Sequence, residues 1–201
     1  QEKLVDVVCR MAAERIPKRF NFSPQTDIQI LSPMNRGVCG ADNLNTRMQA
    51  ALNPPRTEGW NPEMTYGDVV YRAGDRVMQI SNNYEYQVFN GDLGRMLQID
   101  TKEKNFIVRY ESNTVTYAFD EVDQIRLAYA ITIHKSQGSE FPVVIVPVLN
   151  QHYVMLQRNL IYTAMTRAAR LLIMIGAKKA LSIAVHNVNR TPRHSQLAER
   201  L

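Results

Sequence analysis

Apolar side chains recur at helical spacing over residues 4–16, where Leu4, Val7, Val8, Met11, Ala12 and Ile16 are separated by polar and charged positions. That period predicts an amphipathic helix, ended near Pro17, whose ring nitrogen carries no hydrogen for the next turn. Residues 27–31 read as a short strand, broken by Ser32-Pro33. Asp42 is placed to cap a helix carrying Leu44, Met48 and Leu52, which Asn53-Pro54-Pro55 stops. A connector with proline, glycine and tryptophan runs on to about Gly67. From Tyr66 to Ile125 the texture changes to short β-like runs at 75–80, 86–89, 94–101, 106–110 and 114–119, divided by turn-forming clusters such as Asn90-Gly91-Asp92. Such closely spaced short strands predict a small barrel or meander. After Arg126 longer apolar runs return. Residues 127–131, 143–148 and 171–176 read as strands, 156–169 and 178–185 as helices. Alternating strands and helices predict a parallel sheet with helices on its faces. The expected organisation is a first α/β part over residues 1–80, an inserted β-barrel over 81–125, a second α/β part over 126–190 and a polar tail over 191–201.

Charge follows much the same divisions. Residues 1–56 carry eight Lys/Arg against five Asp/Glu, residues 57–125 six against twelve, and residues 126–201 ten against two. The formal charge of +5 thus conceals an acidic centre between basic flanks. Basic surface with few carboxylates attracts polyanions, because phosphates meet Lys and Arg without competing negative charge. It also serves simply to keep a protein in solution, and charge alone leaves both readings open. Cys9 and Cys39 stand far apart, which suits neither a disulfide framework nor a zinc site. Two thiols in a reducing compartment are expected, and with them a cytoplasmic location. No apolar run approaches the ~18–20 residues that span a bilayer. The chain opens on Gln1 inside the first helix, which suggests a segment of a longer protein.

Three segments carry side chains suited to phosphate. Ile-Thr-Ile-His-Lys-Ser-Gln-Gly-Ser-Glu-Phe-Pro, residues 131–142, joins two strands and so lies at a sheet edge, where α/β folds bind ligands. Thr132, His134, Lys135, Ser136 and Gln137 are polar groups suited to a nucleic-acid backbone. Gly138 permits close backbone approach, and Glu140 is one of only two acids in the last third of the chain. At about 100° per residue, Asn159, Thr163, Thr166 and Arg170 share one face of the helix expected at 156–169, with Arg167 at its edge. Leu160, Ile161, Ala164, Met165 and Ala168 are left for the core. An arginine there stabilises phosphate charge if a nucleotide lies beside it, or belongs to a solvated basic face. Arg36, in the loop after the first strand, is the third candidate. No G-x-x-x-x-G-K-[ST] cradle occurs in the sequence, so the expected site is half of one.

These residues resemble a known family. AYAITIHKSQGSEFPVVIV is similar to motif V of RecD-like superfamily 1 DNA helicases, and NLIYTAMTRAARLLIMIG to motif VI. ILSPMNRGVCGADNLNTRMQAALNP resembles motif IV, and GDRVMQISNNYEYQVFNGDLG the stretch leading into a small Src-homology-type barrel. The blocks run in family order over about residues 27–180. The resemblance implies a RecA-like parallel sheet with helices on both faces, a P-loop NTPase-type fold without its own P-loop, interrupted by an SH3-like β-barrel. It implies the C-terminal motor domain of an ATP-dependent 5′→3′ helicase, working in recombination or repair alone or with nuclease-complex subunits. Arg167 then matches the arginine finger and Arg36 a second arginine at the γ-phosphate. Glu140 matches a ribose contact, with Gly138 near the phosphates. Thr132, His134, Lys135, Ser136 and Asn90 match contacts to single-stranded DNA. ATP and Mg²⁺ are implied to bind mainly to an N-terminal RecA-like domain of the same parent chain. Two other readings stay open: a non-catalytic nucleic-acid-binding or docking module, and the helicase segment of a conjugative relaxase.

Overall fold

The apolar run at residues 143–148 alternates between two buried surfaces. Val143 and Ile145 face one hydrophobic core and Val144, Val146 and Val148 another, as a strand with period two must when both sides are covered. The computed structural model describes residues 2–55, 62–149 and 157–187. In chain order they form helix α1 (Glu2–Arg10), a π-helical turn (Met11–Arg15), α2 (Ile16–Phe20), β1 (Ile28–Ser32) and α3 (Ala41–Leu52). Seven short strands follow: β2 (Glu63–Tyr66), β3 (Val69–Arg72), β4 (Arg76–Gln79), β5 (Leu93–Asp100), β6 (Asn105–Tyr110), β7 (Thr114–Ala118) and β8 (Ile125–Leu127). The last part holds β9 (Ala130–Thr132), β10 (Phe141–Val148), α4 (Arg158–Met165), β11 (Ala168–Gly176) and α5 (Lys178–His186). Strands β11, β10, β1 and β9 make a parallel sheet in that order. One face packs on α1, α2 and α3 through Val5, Val8, Ile16, Leu44 and Met48. The other packs on α4 and α5 through Leu160, Ile161, Ala164, Ala180 and Ala184. No described helix is long and apolar enough to cross a membrane.

The second sheet is antiparallel, in the order β7-β6-β5-β4-β8, with β2 and β3 forming a separate hairpin. Its core is aromatic: Phe106 and Tyr117 stack at 5.0 Å, and the Tyr110 and Tyr117 hydroxyls meet Gln79 Oε1 at 3.1 and 3.0 Å. Pairing within this sheet takes in residues 76–79 and 125–127, beyond the 81–125 expected of the insert.

Several local expectations are corrected. Pro17 does not end the first helix. The π turn shifts the hydrogen-bond register, with the Ile16 amide donating back to Met11 O. Proline then sits in the first turn of α2, where no amide donor is needed, and the helix stops at Asn21 in the left-handed conformation. Asp42 does not cap α3. Gly40 does, because a Cβ there would lie 2.3 Å from Asn35 O, and Asp42 falls in the first turn, where its charge favours the helix dipole. Residues 86–89 form no strand, only one bridge between Asn83 and Val88. The Tyr86 amide is held by Asn83 Oδ1 and Gln87 turns left-handed at φ 53°, which folds the chain back on itself. The single strand expected over 127–131 is two, split at Ala128–Tyr129 where the chain leaves one sheet for the other. The helix expected to run to Ala169 ends at Met165, which is exposed, and Ala168 already belongs to β11. The tail over 191–201 and Leu156 lie outside the described residues.

Buried polar side chains clamp both crossings between the sheets. On the way in, Asp75 is fully buried and accepts four hydrogen bonds: from Gln49 (2.6 Å), Asn53 (2.8 Å), Tyr129 (2.9 Å) and the Arg72 amide (2.7 Å). Beside it, buried Arg76 donates to the Gln25 and Ile28 carbonyls at 3.2 and 3.0 Å. On the way out, Asn45 donates to Leu127 O and Ala130 O and accepts from the Ala130 amide, while Gln29 donates to Ala128 O and Tyr129 O. Burial pushes the Asp75 carboxyl up and the four donors pull it back, the net shift being upward. With its folded-state pKa above the unfolded one, the native state holds the proton more tightly. This group's contribution to stability therefore falls as pH rises from the ordinary carboxylate range through the raised pKa. Asp75→Asn is expected to remove that slope from the pH dependence of the urea midpoint. Asp75→Ala is expected to cost about 3 kcal/mol or more in urea unfolding, because two buried and two partly buried donors lose their acceptor.

Candidate nucleic-acid and nucleotide site

Residues 133–140 carry the chain from the C-terminal end of β9 to the start of β10 without a helix of α type, only a 3₁₀ turn over His134–Ser136. The loop is tied at its root, where the Ile133 amide donates to Ser32 O at 3.0 Å. Ser136 is fully buried and its hydroxyl donates to Ile133 O at 2.7 Å. Thr132 is buried too, and its Oγ1 accepts from the Lys135 amide at 3.3 Å. These two hydroxyls build the loop, and His134 and Lys135 are left exposed on its outside. Lys135 Nζ donates to Asn90 Oδ1 across the gap to the β insert at 3.1 Å. Two residues expected from separate motifs are thereby brought together.

The far end of the loop meets Arg167. Its guanidinium donates from Nη1 to Ser139 O at 2.8 Å and from Nη2 to Thr166 Oγ1 at 3.3 Å, and its own carbonyl takes the Phe141 amide at 2.8 Å. Arg167 Nε is buried with no partner among the described residues. Gly138, at φ +87° and with nothing within 4 Å of a Cβ position, and exposed Glu140 stand on the same turn. A half-anchored guanidinium with an unused donor, an open glycine and a carboxylate fit the phosphates and ribose of a nucleotide. Among the described residues no group of three or more His, Cys, Asp or Glu side chains that could hold a metal ion comes together.

Arg36 is not beside Arg167. Strands β1 and β11 both run parallel to β10, in register Ile30↔Ile145↔Ile173. Arg36 follows the C-terminal end of β1, and Arg167 precedes the start of β11. About eight residues of strand separate the two levels, on the order of 25 Å at ~3.3 Å per residue, so the two guanidiniums do not converge on one phosphate. Arg36 stands exposed at the end of the sheet where Ser32 pairs with Thr132. The loop presenting it is pinned at its base, where Ser32 Oγ lies within hydrogen-bond distance of Met34 O and Cys39 O at 2.9 and 2.8 Å and has one hydrogen to share between them.

A cleft of about 970 Å³ opens between the insert and residues 138–141, walled by Tyr84, Phe89, Asp92, Glu111 and Glu140 among others. Tyrosine and phenylalanine in a run of short strands read as barrel core from sequence alone. Only their exposure distinguishes them.

A parallel α/β sheet interrupted by a small antiparallel insert is a helicase-like fold. Residues 44–110 match the family model described as the ATP-dependent RecD-like DNA helicase SH3 domain, and residues 127–175 the UvrD-like helicase C-terminal domain. The chain belongs to the RecD-like helicases. It is 37% identical over 174 residues to the ATP-dependent RecD2 DNA helicase of Deinococcus radiodurans, covering 87% of this chain and 23% of that protein. It is 30% identical over 178 residues to the RecBCD enzyme subunit RecD of Mycobacterium tuberculosis, covering 86% and 28%. The chain thus spans about a quarter of the length of these curated relatives. The fold is that of a Bacteroides Pif1 helicase solved with ADP-AlF3 and ssDNA, at TM-score 0.56 and 16% identity over 98% of this chain and 48% of that one. A Candida albicans Pif1 helicase matches at TM-score 0.53 and 15% identity, over 94% and 56%.

The division of labour within the loop is open to test. Ser136→Ala is expected to lower stability by about 1 kcal/mol, the worth of one internal hydrogen bond, in thermal or urea unfolding. Its affinity for an oligothymidylate is expected to change less than that of Lys135→Ala, measured by fluorescence anisotropy.

Proposed function

We propose that the chain is the second motor domain of an ATP-dependent 5′→3′ DNA helicase of RecD type, acting on single-stranded DNA in recombination or repair in the cytoplasm. The observation that carries this reading is the single loop at residues 133–140. It offers Lys135, paired with Asn90 of the insert, at one end and holds Arg167 through Ser139 O at the other. A strand held by the first and a nucleotide sensed by the second are joined by one short rigid segment. His134 and Lys135 contact the DNA backbone, while Thr132 and Ser136 shape the loop beneath them. Arg36, at the same end of the sheet as Thr132, joins the DNA contacts and leaves the γ-phosphate to Arg167. Glu140 and Gly138 border the ribose and phosphates. ATP and its Mg²⁺ are held mainly by an N-terminal RecA-like domain of the parent chain, and the triphosphate supplies the charge that Arg167 meets. Nuclease-complex subunits are a further class of partner, by analogy with the RecBCD subunits among the relatives.

In the longer parent protein Arg167→Ala is expected to lower DNA-stimulated ATPase by roughly 10³–10⁵, the range found for arginine fingers, and to leave oligonucleotide affinity near wild type. Unchanged hydrolysis would remove the finger assignment. Arg36→Ala and Lys135→Ala are each expected to weaken oligothymidylate binding and to reduce the slope of log K against log salt by about 0.7, the value for one single-strand phosphate. A loss of ATPase without a change in DNA affinity in Arg36→Ala would return that residue to the nucleotide.

A further inference from the structure

Two large aromatic side chains stand in solvent on the turn between β4 and β5. Tyr84 is 77% exposed and Phe89 44%, and their rings meet edge to face with centroids 5.9 Å apart. The turn that presents them is heavily braced. Asn83 and Val88 exchange both backbone hydrogen bonds, at 2.8 and 3.0 Å. Asp92 Oδ2 accepts from the Phe89 amide at 2.8 Å, and Asn82 Oδ1 from the Asn90 amide at 3.0 Å. A braced loop that leaves Tyr84 mostly in water and Phe89 nearly half exposed gains little for the fold from these rings. The barrel core is filled by other rings, Phe106 and Tyr117 among them.

What these faces meet is set by the charges around them. Next to Phe89, Asn90 holds the exposed ammonium of Lys135, and an ammonium so held keeps two further hydrogens for a phosphate. The insert's side of the cleft beside the pair carries Asp92 and Glu111 instead, whose carboxylates repel phosphate. A single strand crossing here has its backbone drawn to Lys135 and excluded from the cleft, which turns its uncharged bases toward the rings. Flat heterocycles stack on such faces whatever their sequence.

We propose that Tyr84 and Phe89 form a base-stacking platform for single-stranded DNA, resting on the DNA-binding reading above. The test measures binding of this chain to a fluorescein-labelled oligothymidylate and to an oligomer of equal length made of abasic sites. Tyr84→Ala and Phe89→Ala are each expected to weaken oligothymidylate binding by roughly 5- to 100-fold, the stacking worth of one base, while Tyr84→Phe binds as wild type. The abasic oligomer is expected to bind the wild type more weakly by a similar factor and to be indifferent to Tyr84→Ala. Tyr84 is largely exposed, so its variants are expected to keep the wild-type melting temperature. Full affinity in both alanine variants, with Lys135→Ala still weakened, would sink the platform and spare the DNA-binding reading. Equal losses toward the thymidylate and abasic oligomers would also overturn it, marking a backbone contact. No measurable binding of oligothymidylate by the wild type would remove the reading on which the platform rests.

Discussion

Asp75 accepts four hydrogen bonds from side chains and backbone on three parts of the chain: α3 with the Asn53 that follows it, the last residue of β3, and the crossing at Tyr129. A buried carboxylate is costly unless its lone pairs are all engaged, so the donors must arrive together or not at all. Gln49 comes from the helix that covers the parallel sheet, Asn53 from just after it, and Tyr129 from the link between the sheets. Their convergence sets where the antiparallel unit stands on the RecA-like one. The orientation of the insert therefore depends on polar geometry, which is directional, in addition to apolar burial, which is not.

Everything at the candidate site inherits that orientation. Lys135 meets Asn90 because the turn between β4 and β5 is held against the loop after β9. The cleft between Phe89 and Glu140 exists for the same reason, since its two walls belong to the two units. The loop at residues 133–140 is held at both ends and from within. Its inward hydroxyls, on Thr132 and Ser136, satisfy its own backbone, and its ends are tied to Ser32 O and to Arg167. Lys135 and Arg167 therefore stand at the two ends of one segment whose backbone is fixed by hydrogen bonds.

The alternation of Val143 to Val148, the amphipathic opening helix and the sequence of short runs after Tyr66 made both sheets legible in advance, because periodic burial is a local property of the chain. The helicase domains matched over residues 44–110 and 127–175 were legible by resemblance. Boundaries were less so. Pro17 was tolerated because a π turn moved the hydrogen-bond register, and Asp42 was displaced from the cap by a glycine needed for close approach. The strand expected at 127–131 was cut in two by a change of partner that no local pattern announces.

Sequence by itself determined the class of fold, the contrast between a basic α/β part and an acidic β part, and which side chains are suited to phosphate, since these follow from side-chain type and spacing. Tertiary structure alone decided which of those residues share a place. Parallel register sends Arg36 and Arg167 to opposite ends of the sheet, although both lie in loops next to strands. Burial turns Thr132 and Ser136 inward and leaves Lys135 outside, although all three are polar and close in sequence. Exposure separates Tyr84 and Phe89 from the rings of the barrel core. Each of these outcomes is a matter of direction and distance between segments far apart in the chain, and residue type does not encode direction.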